Sequence, residues 1–352
     1  MPMPTPHDRA RVPEELERRG GLRPGVAREV ARATGVPEAE VYGVGSFFHL
    51  LAEPDVDVRV CQGLSCQLKG ADGLLAAAQA AGLRAAGCQC LAACDQPVAV
   101  LRGRRVLPAV SAAEVAAAGG DPARLVSAAA PDDVWRGAVG PADADPERLA
   151  MNLTAPPDWS GAALARAAEL GADGVIAALE AAGLQGRGGA GFPSHIKWKA
   201  VAGQPEAVRY VVLNADEGEP GTFKDRELLL RRPDLVIEGL AIAARAIGAA
   251  EVYLYLRGEW EIPWRATADA IDRFESAGLL AGLAFHMHAG QGAYICGEET
   301  ALIEALEGKR GMPRLRPPFP VEVGLFGKPT LVHNVETIAC VPGIVRRGGA
   351  WF

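Results

Sequence analysis

The stretch from Arg209 to Trp260, "RYVVLNADEGEPGTFKDRELLLRRPDLVIEGLAIAARAIGAAEVYLYLRGEW", decides the fold. It opens with an apolar run rich in valine, passes through an acidic loop and an apolar-periodic helix, and returns to a second apolar run. That is the order strand, loop, helix, strand. The pattern repeats through "AIDRFESAGLL" and "LAFHMHAGQGAYICGEETALIEALEG". Alternation of this kind predicts an α/β domain built on a parallel sheet with right-handed crossovers. Ligands of such sheets lie at the carboxyl ends of the strands. The unusual residues fall there: Asn214 to Gly221 after one strand, and Gly290 to Glu299 after another.

Upstream, "GAALARAAELGADGVIAALEAAGL" (161–184) reads as an alanine-rich helix whose Gly171 and Gly174 divide it in two. The text between about Gly119 and Ser160 is rich in Ala, Pro, Asp and Gly, which predicts a linker over residues 131–158. The first unit, 1–130, starts with helical spacing from Glu14 to about Leu51. It continues as strand, cysteine loop and helix through "DVRVCQGLSCQLKGADGLLAAAQAAGL", then a second cysteine loop and a hairpin in "PVAVLRGRRVLPAV". The second unit is 159–352.

Composition narrows the function classes. Thirty-six Lys and Arg against 43 Asp and Glu leave a net charge of −7, which disfavours nucleic acid as the partner. No apolar run reaches the roughly 20 residues of a membrane span, so peripheral association is the most a membrane is expected to contribute. The N-terminus "MPMPTPHDRARVPEELERR" lacks a signal-peptide core, and cytoplasmic residence is the expectation.

Five of the seven cysteines crowd into residues 61–94. Cys61 and Cys66 are separated by four residues, and Cys90 and Cys94 by three, each pair on a loop. Four thiolates at one place need a cation, either zinc or an iron–sulfur cluster; the spacing favours a two-iron cluster with two cysteines per iron. Buried free thiols are the plain alternative. Cys88 is read as a spectator, and Cys296 and Cys340 as packing residues.

In "GRGGAGF" (Gly186, Arg187, Gly188, Gly189, Ala190, Gly191, Phe192) four glycines allow backbone amides to approach an anion. Arg187 and Lys197 are expected to supply charge for a phosphate. Asp216, Glu217 and Glu219 cannot hold phosphate, but they accept hydrogen bonds from hydroxyls and amides, as on a ribityl or ribose chain or a carboxamide. Glu298 and Glu299 stand at a helix start, where a capping role is equally natural. Phe192 and Phe319 offer flat faces for a ring, or simply core.

Together, "GLQGRGGAGFPSHIKW", "NADEGEPGTFKDR", "GAYICGEETALIEALEGKRG" and "HNVET" resemble the NADH-oxidising flavoprotein subunit of respiratory complex I and its relatives, over about Asp158 to Phe352. "VYGVGSFFHLL", "VCQGLSCQLKGADGLL" and "CLAACDQPVAVL" resemble the thioredoxin-like two-iron ferredoxin subunit that accompanies it. The fusion is similar to the beta (diaphorase) subunit of NAD-dependent formate dehydrogenases and to the flavin subunit of bidirectional hydrogenases. The resemblance implies a thioredoxin-like domain with a 2Fe-2S cluster on Cys61, Cys66, Cys90 and Cys94, followed by a Rossmann-like FMN domain. It implies FMN contacts from Gly186, Arg187, Gly188, Lys197, Asn214, Asp216, Glu217, Tyr294, Gly297, Glu298, Asn334 and Thr337. NAD(H) is expected near Gly189, Ala190, Phe192, Glu219, Glu299, Arg316 and Phe319, with Glu219 and Glu299 positioning the reactants for hydride transfer.

Implied partners are other redox subunits: a ferredoxin-like gamma subunit and a catalytic molybdenum or hydrogenase subunit. A non-catalytic electron-transfer scaffold is the alternative from another class. The sequence departs from the family at His333, where asparagine is usual, at Arg316, where lysine is usual, and at Ala200, where an aromatic is frequent. It stops at "AWF", ahead of the family's ubiquitin-like domain and the cysteines of its 4Fe-4S cluster, so a fragment is expected.

Overall fold

A computed structural model describes residues 5–129 and 153–352. Of the linker expected at 131–158, residues 131–152 lie outside the described residues. The first sheet has the order β2-β1-β3-β4, from β1 (Val58–Cys61), β2 (Ala85–Cys88), β3 (Val100–Arg102) and β4 (Arg105–Leu107). β1 and β2 run parallel, joined across the helix Ala71–Ala80, whereas β3 and β4 form the expected antiparallel hairpin.

The second sheet is wholly parallel: β5 (Tyr210–Ala215), β6 (Glu251–Leu256), β7 (Ala284–Ala289) and β8 (Thr330–Asn334), in the order β7-β6-β5-β8. β6 and β7 are added on one side of β5, and β8 returns to the other. The strand order therefore reverses between β5 and β8, which opens a crevice above their carboxyl ends.

β5 is apolar and buried from Tyr210 to Leu213 because both its faces are covered. Val211, Leu213 and Ala215 point to one face and pack with Ala162–Ala182, Pro233–Ile247 and Val335–Arg347. The first of these helices breaks at Gly171 (φ 68°, ψ 173°), as its internal glycines predict. Tyr210 and Val212 point to the opposite face. They join a core with Leu302 and Leu306 and, from the helical lead-in, Val12, Leu16, Val30 and Phe48. The lead-in, expected with the cysteine unit, thus packs on the second sheet. No described helix is long and apolar enough to cross a membrane.

Candidate active site and cysteine centre

The glycine loop is closed at its neck. Gln185 and Pro193 form a β-bridge, and Gly186 N donates to Phe192 O at 2.9 Å. Within the loop Gly189 has φ 109° and Gly191 φ 64°, a region open to glycine and strained for other residues. The loop is fastened to the helix after β8, where Thr337 Oγ1 accepts from Arg187 N at 2.8 Å. A Cβ at Gly188 would lie 3.2 Å from Asn334 Cβ, so the loop backbone sits directly over the end of β8.

From the end of β5, Asn214 Nδ2 donates to Gly297 O at 2.8 Å and its Oδ1 accepts from Asp216 N at 3.2 Å. Asp216 turns inward. Its Oδ2 is buried with no hydrogen-bond partner, and burial pushes its pKa up to about 7 despite the opposing pull of Arg257. Glu217 does different work: its carboxylate accepts from Asp225 N (3.1 Å) and Arg226 N (3.2 Å), capping the helix Lys224–Arg231. Burial, and then the neighbouring Asp225, raise its pKa as well. Glu219 stays exposed and accepts from Tyr294 Oη at 2.5 Å.

Glu298 is the N-cap of Glu299–Leu306, accepting from Thr300 N and Ala301 N, both at 2.9 Å, while it also lines the crevice. Lys197 does not stand alone. Its Nζ pairs with Glu299 at 2.7 Å, and Arg316 pairs with the same carboxylate at 3.3 Å. Arg187 likewise faces Glu336 at 3.5 Å. The donors left for an anion are therefore the loop amides beyond Gly186 N and Arg187 N, which are bonded to Phe192 O and Thr337 Oγ1, with salt bridges that an incoming anion can share.

Two cavities of about 540 and 610 Å³ open here, and both are lined by Gly188, Asn214, Gly297, Glu298 and Asn334. They meet over the carboxyl ends of β5 and β8. The first is acidic, walled by Asp216, Glu217, Glu219 and Asp225 with Arg187 and Lys224. The second is apolar, walled by Ala190, Ile196, Ala200, Val321 and Val332 between Phe192 and Phe319, the last two 45% and 50% exposed. The two phenylalanines are accordingly wall residues and not core. Gly186, Lys197, Glu299, Arg316 and Thr337 also line the apolar half; Gly189 and Tyr294 line the acidic half. Gly191 lines neither and serves the loop's turn.

The sequence reading missed Lys224 and Asp225. Lys224 Nζ reaches Asp225 at 2.7 Å, Asn334 Oδ1 at 3.1 Å and Glu336 at 3.1 Å, while Asn334 Nδ2 donates to Asp225 at 2.6 Å. A signal existed: a lysine opening a helix opposes the helix dipole and so calls for another reason to be there. His333, the departure from the family's asparagine, is buried and accepts from Trp198 Nε1 at 2.9 Å. Burial, helped by Lys197, drops its pKa to about 3, so it is neutral.

The cysteines form a second centre. Cys61 ends β1, Cys66 lies in the short helix Leu64–Gln67, and Cys90 and Cys94 share the second loop. Cys90 and Cys94 sulfurs are 3.4 Å apart, and Cys61 interacts with both Cys66 and Cys90, giving the row Cys66, Cys61, Cys90, Cys94, whose two ends also interact. Among the described residues no three His, Cys, Asp or Glu side chains close around a single ion, and a row of two pairs suits two irons better than one zinc. Backbone amides of Gly63 (3.4 Å), Ala92 (3.4 Å) and Gly221 (3.1 Å) donate to the sulfurs of Cys61, Cys90 and Cys94. Such donors are what thiolate ligands require. Cys88 is the register partner of Cys61 across β1 and β2 and stands outside the row; Cys296 and Cys340 are fully buried.

Comparison with known proteins bears on both centres. Residues 179–343 match the family model of the Nuo51 FMN-binding domain, and residues 14–118 that of the thioredoxin-like [2Fe-2S] ferredoxin. The chain is thus similar to both families, one behind the other, over those residues. It is 52% identical over 191 residues to an NADH-quinone oxidoreductase subunit of Rhizobium meliloti (strain 1021), covering 51% of this chain and 45% of that protein. NADH dehydrogenase [ubiquinone] flavoprotein 1, mitochondrial, of Dictyostelium discoideum is 50% identical over 192 residues, or 52% of this chain and 40% of that one. The chain spans less than half the length of these curated relatives. An NAD+-reducing [NiFe]-hydrogenase in the air-oxidized state superposes with a TM-score of 0.83 at 35% identity, covering 97% of this chain and 62% of that chain.

The residues present fit both cofactors of these families. The acidic cavity offers hydroxyl acceptors on Asn214, Glu219 and Asn334, beneath a loop that a Cβ at Gly188 would crowd. The cysteine row already has amide donors directed at its sulfurs.

Proposed function

We propose that this chain is the FMN-dependent NADH dehydrogenase (diaphorase) module of a larger redox enzyme. It exchanges hydride between NAD(H) and FMN and passes electrons on through iron–sulfur centres. One observation carries the reading: an acidic and an apolar cavity join over the ends of β5 and β8, within one hydrogen bond of the cysteine row through Gly221 N and Cys94 Sγ.

Bound FMN would supply a ring that takes two electrons together and gives them up singly. The protein's own part is orientation. Asn214, Glu298 and Asn334 present acceptors to a polyhydroxyl chain beside Asp216, and with Gly186 N and Arg187 N spent on Phe192 O and Thr337 Oγ1, the amides of Gly188 and Gly189 are left for an anion. Phe192 and Phe319 clamp a planar ring in the apolar half, so that a nicotinamide lies flat and water is excluded. Glu299, fixed between Lys197 and Arg316, and Glu219, fixed by Tyr294, orient the carboxamide and ribose. No side chain needs to move a proton for the hydride step itself.

As partner we propose a cytoplasmic NAD-dependent formate dehydrogenase, with a ferredoxin-like gamma subunit and a molybdenum catalytic subunit. A hydrogenase is the second reading, supported by the hydrogenase likeness that spans both units of this chain. The purified chain, reconstituted with FMN and iron, is expected to bleach its flavin on adding NADH and to reduce an artificial acceptor. Failure to retain FMN would overturn the proposal. A chain that binds FMN without bleaching would be the non-catalytic scaffold. EPR of the reduced protein with metal analysis tests the cluster, and zinc in its place would overturn that part.

A further inference from the structure

The loop that walls the acidic cavity also grips the second cysteine loop, by three ties. Gly221 N donates to Cys94 Sγ at 3.1 Å. Arg226, fully buried, donates to both carboxylate oxygens of Asp95 at 3.0 Å and to Ala92 O. Arg257 does more: its Nη1 donates to Glu217 O and its Nη2 to Cys90 O, each at 2.6 Å. One planar guanidinium thus holds a carbonyl from each loop, and Glu259 balances its charge at 3.2 Å. Arg257 and Glu259 are 4% and 2% exposed.

Metal ligation by Cys90 and Cys94 fixes the backbone that carries the Cys90 carbonyl. The rigid fork of Arg257 passes that constraint to the Glu217 carbonyl, in the wall of the cavity beside Asp216. Glu217 cannot yield independently, because its side chain caps the helix Lys224–Arg231. A loop already fixed costs a second ligand less to order, and such coupling is reciprocal. We propose that occupancy of the cysteine centre and affinity for FMN are thermodynamically coupled, with Arg257 as the positioning residue between them. The inference rests on the two sites assigned above.

The test is a fluorescence titration of FMN into the full chain, cluster-free and cluster-reconstituted. The cluster-loaded form is expected to bind FMN about fivefold or more tightly than the cluster-free form. Arg257→Lys keeps the charge but replaces a two-armed fork with a point donor, so the ratio shrinks. Arg257→Gln with Glu259→Gln removes both buried charges together, avoiding an unpaired carboxylate, and the ratio falls to about one. Equal affinity in the two wild-type forms would overturn the coupling while leaving the FMN site intact, and a ratio that survives in the double variant would overturn the role of Arg257 in it. Absence of FMN binding in both forms would overturn the flavin reading and the coupling with it.

Discussion

The two hollows that meet at Gly188 are walled by opposite chemistry, yet burial drives both toward neutrality. In the acidic hollow it raises the pKa of Asp216 to about 7 and that of Glu217 in the same direction. In the apolar hollow it lowers His333 to about 3. The cations are treated alike: Lys197, Lys224 and Arg316 are all paired with carboxylates. The crevice is therefore lined by polar groups of fixed direction with little uncompensated charge, which suits a site that must orient neutral rings and hydroxyls.

The sharpest way to probe this contrast is pH. His333 has a folded pKa below its unfolded value of 6.5, so its stabilisation is present above about pH 6.5 and is lost as pH falls toward 3. The loss is on the order of 5 kcal/mol at about 1.4 kcal/mol per unit. His333→Asn, which keeps an acceptor for Trp198, is expected to remove that slope in denaturant unfolding of the apoprotein. Asp216 acts in the opposite sense. Its raised pKa makes stability fall as pH climbs from about 4 to about 7, on the order of 4 kcal/mol, and Asp216→Asn should abolish that fall.

Gly188→Val places methyls against Asn334 at the junction of the hollows. Overpacking of about 1–3 kcal/mol corresponds to FMN binding weakened about 10- to 100-fold in a fluorescence titration. Unchanged binding would mean that the hollows do not act as one site. Glu217→Ala strips two acceptors from the start of Lys224–Arg231, and thermal unfolding should report a loss of about 1–2 kcal/mol. Phe319→Ala should raise the NADH KM about fivefold, for a stacking loss of about 1 kcal/mol, with FMN affinity unchanged. An equal loss of FMN affinity would erase the division of labour between the two halves.

Much of this was readable from local pattern. The run "YVVLN" announces a strand covered on both faces, and the glycine, acidic and "GEET" loops stand at strand and helix ends, where open α/β sheets place ligands. The paired spacing of Cys61 with Cys66 and Cys90 with Cys94 was equally local. What escaped reading depends on distant pairs. Lys224 and Asn334 meet across 110 positions, and Arg257 reaches Cys90 across 167. Glu217 caps a helix from eight and nine residues upstream, too far for a capping-box spacing to reveal it. In the lead-in, the apolar face of Val12, Leu16 and Val30 shows that a cover is needed but not which surface supplies it.

That last contact bears on any attempt to dissect the molecule. A piece beginning at residue 159 would leave Tyr210, Val212 and Leu302 without Leu16, Val30 and Phe48 against them, and the bared patch would invite self-association. Because those helices sit on the same polypeptide, their seat on the sheet is held at a high effective concentration that dilution does not lower.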